Sequence, residues 1–92
     1  ADIWKNVSIN PVFQGKQIKG YKITDVKKGS DFYNLGFRKN DVIIAVNGKD
    51  LYSDADAFYF YKHINEFDSL NITFLRNGEE KNIEFNIEGL KK

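Results

Sequence analysis

Cysteine is absent from this sequence, and histidine and proline occur once each. Without cysteine the chain has no disulfide, no thiolate nucleophile and no cysteine-ligated zinc. A hydrolytic triad of serine, histidine and aspartate would depend on His63, which lies inside a predicted helix between Lys62 and Ile64. A structural role is the simpler interpretation of that histidine. We therefore expect no enzymatic activity, no metal and no cofactor.

Long apolar runs and an excess of one charge are also missing. No apolar stretch approaches the roughly 18 residues of a membrane span. The formal net charge is +1, and lysines and glutamates are interspersed. These features give no reason to expect nucleic acid, an anionic membrane or a small-molecule substrate as partner. A length of 92 residues predicts a single domain over 1–92. Since the chain opens with Ala1-Asp2, we expect it to be a fragment of a longer protein.

Short runs of alternating or continuous apolar residues predict five strands. The first is residues 7–13, where Pro11 is typical of an edge strand or a bulge. A turn at 14–16 and a second strand at 17–26 follow. A continuous apolar run at 42–46 predicts a buried strand that ends at Asn47-Gly48. The last two strands, around 70–74 and 83–87, form a hairpin with an Asn-Gly turn.

Two helices are predicted between these strands. Ser30 is a good N-cap for a short helix that includes Leu35. Gly36 then takes the left-handed position after that helix, and Phe37 makes the hydrophobic contact that follows such a cap. Residues 53–56 form a capping box for a longer helix that runs to about residue 64. The predicted fold class is α+β, mainly β: a partly open antiparallel barrel or sandwich of five to six short strands, capped by the two helices.

With these elements, the sequence resembles a PDZ domain of the bacterial type. The resemblance rests on residues 20–26, on Lys28-Gly29-Ser30 and on Leu35-Gly36-Phe37, and it continues through 40–43 and 46–48. Asn40 stands where the family pattern has glycine, and asparagine is the next best residue for a left-handed backbone. The stretches 10–23, 50–64 and 71–87 are similar to the PDZ domain of the C subunit of type II secretion systems.

The resemblance implies a protein-interaction module on the periplasmic face of the inner membrane, within a membrane-anchored component of a secretion machine. Its partner would be another component, such as a secretin-like outer-membrane channel, or an exported substrate. Alternatives are a regulatory PDZ domain of a periplasmic HtrA-type or C-terminal processing protease, which would recognise unfolded tails, and a self-association domain that pairs through helix 54–64.

PDZ domains bind an extended peptide between a strand and the long helix. Matching that arrangement onto this chain makes strand 7–13 and helix 54–64 the two walls of the groove. The implied partner-binding residues are Ile9, Val12, Phe13, Asp54, Phe58 and Tyr61.

Three features argue against ordinary capture of a C-terminal carboxylate. No glycine precedes residue 7, although a carboxylate-binding loop generally needs one. Pro11 removes a donor from the groove strand. Asp54 would repel an acidic ligand. The groove is thus expected to bind an internal segment or a folded partner, or to be closed.

Overall fold

The structure, a computed structural model, describes residues 6–63, apart from the side chain of Tyr61, and residues 66–86. Ile64 and Ile87, which fall in the predicted long helix and the predicted last strand, lie outside these residues. Six strands and two helices follow one another along the chain: β1 (Val7–Gln14), β2 (Gln17–Val26), α1 (Asp31–Leu35), β3 (Val42–Val46), β4 (Lys49–Asp50), α2 (Asp54–His63), β5 (Ser69–Arg76) and β6 (Glu79–Asn86).

The strands form one antiparallel sheet in the order β1-β2-β3-β5-β6, and the two-residue β4 pairs with β3. Within the described residues β1 and β6 are therefore the edges, and the sheet does not close into a barrel. This confirms the predicted fold class. Only β4 was missed, because two residues are too short to show a periodic pattern.

Gly36 ends α1, as the sequence predicts. Its φ of 114° is left-handed, and its amide donates to the carbonyls of Phe32 and Tyr33. At the other end, the Ser30 hydroxyl accepts from the Tyr33 amide. The Leu35-Gly36-Phe37 triplet thus stops a helix.

Phe37 is fully buried at the centre of an aromatic cluster. Its ring centroid lies 5.5 Å from that of Phe32, 5.3 Å from Phe74 and 6.4 Å from Phe85. Because Phe32 belongs to α1, Phe74 to β5 and Phe85 to β6, the cluster packs the short helix against these two strands.

Asp41 is the one buried charged residue of the described chain, at 1% exposure. Arg76 approaches it with two nitrogens, Nε at 2.9 Å from Oδ1 and Nη2 at 2.7 Å from Oδ2. The same Nη2 donates to the Gly36 carbonyl, and the Arg38 amide donates to Asp41. The bond to Asp41 raises the pKa of Arg76. This ion pair joins the end of β5 to the loop before β3.

The turns follow the local residue signals. Both Asn47-Gly48 and Asn77-Gly78 have positive φ at each of their two residues, as type I′ hairpin turns require. Asn40, which replaces a glycine of the family pattern, also takes a left-handed φ of 79°.

Candidate functional site

Among the described residues no strand pairs with the outer edge of β1, and the direction of each main-chain group of β1 follows from its neighbour on β2. Both main-chain groups of Ile23 bond away from β1: its amide donates to Asp41 and its carbonyl accepts from Asn40, each at 2.8 Å. Ile9, the partner of Ile23 in the register, must then point its own amide and carbonyl outward, away from β2.

The same alternation places Pro11 outward. The register is unbroken from Ile9–Ile23 to Pro11–Tyr21, so Pro11 is again in a pair whose main-chain groups face away from each other. Pro11 therefore does not reduce the number of hydrogen bonds between β1 and β2. The amide hydrogen that proline lacks is missing from the open edge of β1 instead. Val7 and Phe13 complete the set of outward residues.

The predicted site residues of β1 fall on two faces of the sheet. Ile9 and Phe13 lie opposite Ile23 and Ile18, which belong to the core, so their side chains share the core face. At 36% and 60% exposed, both extend beyond the core at the edge. Val12 pairs with Gly20 and lies on the other face, because neighbouring residues of a strand point to opposite faces.

Helix α2 begins as the capping box predicts, with one variation. The Ser53 hydroxyl accepts from the Asp56 amide at 3.2 Å. The Asp56 carboxylate reaches back to the amide of Tyr52, at 3.0 Å, rather than to that of Ser53. The first turn therefore carries two carboxylates, those of Asp54 and Asp56, which suit the positive end of the helix dipole.

Tyr21 joins the sheet to this first turn. Its hydroxyl donates to Asp54 Oδ1 at 2.8 Å, and its side chain is only 5% exposed. Burial, together with the bond to Asp54, raises the pKa of Tyr21 to about 12. Since Tyr21 is also the register partner of Pro11, the bond holds the start of α2 beside the middle of the open edge.

Tyr21→Phe is expected to change how stability depends on alkaline pH. The phenol ionises near pH 10 in the unfolded chain and near pH 12 when folded, so its contribution is present below pH 10 and is lost as the pH rises toward 12. Between pH 9 and 11 the difference between wild type and Tyr21→Phe should shrink by about 1 kcal/mol. Urea unfolding at both pH values measures it. A constant difference would contradict the effect. Absorbance at 295 nm should show one late-ionising phenol that the variant lacks.

The exposed side of α2 is aromatic. Phe58 is 62% and Tyr59 47% exposed, whereas Phe60 is buried in the core. Asp54 and Phe58, four residues apart, share one side of the helix. The backbone of Tyr61 belongs to α2, but its side chain lies outside the described residues.

Two exposed tyrosines were not predicted as site residues. Tyr59 stacks on His63, with ring centroids 4.5 Å apart, and Lys49 Nζ lies 5.4 Å from its ring. Tyr52, 54% exposed, lines a cavity of about 240 Å³ at the β1–β2 turn; the other lining residues are Gln14, Gln17, Ile18 and Lys19. The sequence carried no periodic signal for Tyr52, which follows a two-residue strand.

The described part of the chain was compared with the requirements of a metal site and of a membrane-spanning helix. No three histidine or acidic side chains there are grouped to hold a metal ion. None of its helices has the length and apolarity needed to cross a bilayer.

Comparison with known proteins identifies a family and individual relatives that this chain matches. The PDZ domain family model matches residues 7–87. The type II secretion system protein C of Dickeya chrysanthemi is 28% identical over 83 residues, which are 90% of this chain and 30% of that protein. The chain thus spans less than a third of the length of this relative.

Solved structures give the same result. The PDZ domain of EpsC from Vibrio cholerae, residues 204–305, superposes with a TM-score of 0.78 at 22% identity; the match covers 92% of this chain and 81% of that one. The PDZ domain of the pullulanase C protein of the type II secretion system from Klebsiella pneumoniae, solved with a fatty acid, has a TM-score of 0.72 at 31% identity. That match covers 91% of this chain and 87% of the Klebsiella domain.

Proposed function

This chain belongs to the PDZ domain family of protein-interaction modules, and we propose that it binds an extended segment of another protein along the outer edge of β1, beside α2. The observation that carries the proposal is the row of outward amides and carbonyls on β1, next to the exposed side chains of Ile9 and Phe13. A strand added there would gain main-chain hydrogen bonds, and the adjacent side chains would favour some ligand sequences over others.

The second wall of the groove is α2, through Asp54, Phe58 and Tyr61. The Tyr21–Asp54 bond supports this assignment, because it holds the first turn of α2 close to the strand next to β1. Aromatic side chains with large exposed area are the residue type that dominates binding energy at interfaces. Val12 contributes on the opposite face of the strand.

The similarity to secretion-system C proteins supports a location for the module in the cell. We propose that it lies on the periplasmic side of the inner membrane, in a longer membrane-anchored component. Its ligand there is another component of the machine, such as the outer-membrane channel, or an exported substrate.

The proposed binding does not depend on a free C-terminus. Asp54 disfavours a carboxylate nearby, and Pro11 removes one main-chain donor from the edge. Residues 1–5, where a carboxylate-binding loop would lie, are outside the described residues. The occupant is therefore an internal segment in extended conformation.

An NMR titration tests this mode with two probes: a valine-ended decapeptide as free acid, and the same peptide amidated at its C-terminus. Strand addition of internal segments predicts that both shift the amides of Val7 and Ile9 to the same extent. Phe58→Ala should weaken both by about 5- to 30-fold. As a matched control, Phe67→Ala changes an aromatic residue packed against the core instead. Shifts with the free acid alone would mean capture of C-termini, and the absence of shifts on β1 would overturn the proposed edge.

A further inference from the structure

Both edges of the described sheet resist pairing with other strands, but by different means. β6 carries four charged residues among its eight, namely Glu79, Glu80, Lys81 and Glu84. Charged side chains are the usual protection of an edge strand. β1 carries no charged residue in its eight positions, and it exposes apolar side chains. Its protection consists of Pro11 and two register shifts.

We propose that Pro11 selects what pairs with β1: it prevents pairing with a second copy of this chain, while leaving the edge open to an extended segment of a different protein. The proposal extends the strand-addition mode above and gives that mode its specificity. It follows from counting the hydrogen bonds available in each kind of pairing.

A second copy loses two hydrogen bonds because symmetry uses Pro11 twice. In antiparallel pairing only outward residues bond, and on β1 these are Val7, Ile9, Pro11 and Phe13. Within this stretch, every symmetric register with three or more bonded pairs includes Pro11 from both chains. Two carbonyls then face a proline nitrogen that carries no hydrogen.

A different chain loses one bond at most. Its strand can pair with Val7, Ile9 and Pro11, and only the carbonyl that faces the Pro11 nitrogen then lacks a donor. A heterologous segment is therefore favoured over a second copy by one hydrogen bond. One such bond is worth about tenfold in affinity, so the advantage is roughly 10-fold.

Replacing Pro11 with alanine tests this directly and needs no ligand. Wild type is expected to be monomeric in sedimentation velocity from about 10 μM to 1 mM. Pro11→Ala is expected to dimerise at least about 10-fold more tightly. In the dimer, hydrogen exchange at the Ile9 amide should slow. Thermal unfolding checks that the variant is folded, and Pro11→Thr, with its strand-favouring side chain, is the substitute if alanine is not tolerated.

Two further variants separate the missing donor from a change in side chain. Pro11→Ala/Ile9→Ala keeps every outward amide, whereas Pro11→Ala/Ile9→Pro moves the missing donor to position 9, the other residue that every such register uses. The first should still dimerise and the second should be monomeric. The proposal is overturned if folded Pro11→Ala is as monomeric as wild type, if wild type dimerises through β1, or if the two double variants behave alike. None of these outcomes bears on peptide binding, which the titration decides separately.

Discussion

Arg76→Met is expected to lower the free energy of unfolding by about 3–5 kcal/mol, because it leaves a buried carboxylate without its partner. Asp41 is 1% exposed and receives two bonds from Arg76 and one from the Arg38 amide. Methionine retains much of the length of the arginine stem but none of its charge. The Gly36 carbonyl also loses a donor. Urea denaturation at pH 7 measures the loss.

A double variant shows whether the cost comes from the unpaired charge. In Arg76→Met/Asp41→Leu both charges are gone, and we expect at least half of the lost stability to return. Arg38→Met is the matched control. This arginine also bonds main-chain carbonyls, those of Tyr33 and Phe37, but within the described residues its side chain pairs with no carboxylate. Its loss should be about 1 kcal/mol. Equal effects at positions 38 and 76 would contradict the assignment.

Phe37→Ala is the second large effect, with an expected loss of about 3–5 kcal/mol. The ring is fully buried and contacts three other phenylalanines, so alanine leaves a cavity that elements on both sides cannot close. Thermal or urea unfolding monitored by circular dichroism gives the value.

The matched control is Phe13→Ala, since Phe13 is 60% exposed at the sheet edge. Its effect on stability should stay below about 1 kcal/mol. Binding should show the reverse order: in the decapeptide titration, Phe13→Ala weakens the complex, while any Phe37→Ala protein that remains folded binds as wild type does. Loss of binding by Phe37→Ala protein that is still folded would mean that Leu35-Gly36-Phe37 is part of the site.

The chemistry of short runs of residues was sufficient to predict most of the fold. Ser30 and Gly36 mark the ends of α1, and the two Asn-Gly pairs form the hairpin turns at the predicted places. These signals can be read from the sequence because each depends on the conformation or hydrogen bonding of a few consecutive residues. Asn40 shows the same principle, since a left-handed residue is needed there and asparagine supplies it.

The candidate site could be predicted only in part. The choice of β1 and α2 as groove walls came from family resemblance, and their geometry is compatible with it. The division of Ile9 and Phe13 from Val12 follows from alternation along β1, since positions 9 and 13 share a face and position 12 does not. Alternation could not show that Ile18 and Ile23 of β2 share the core face, because the register shift between Val12 and Phe13 leaves Lys19 as an extra residue between them.

By itself, the sequence determined the element order apart from β4, the caps, the turns and membership of an interaction-module family. Only the tertiary structure decided which contacts contribute most to stability and which groups determine binding specificity. The Tyr21–Asp54 bond joins residues 33 apart, and the Asp41–Arg76 pair joins residues 35 apart. The direction of the donor missing at Pro11 likewise depends on bonds that Ile23 makes across the sheet. Such contacts depend on which strands become neighbours and in which register, and that is settled by packing of the whole chain rather than by its local preferences.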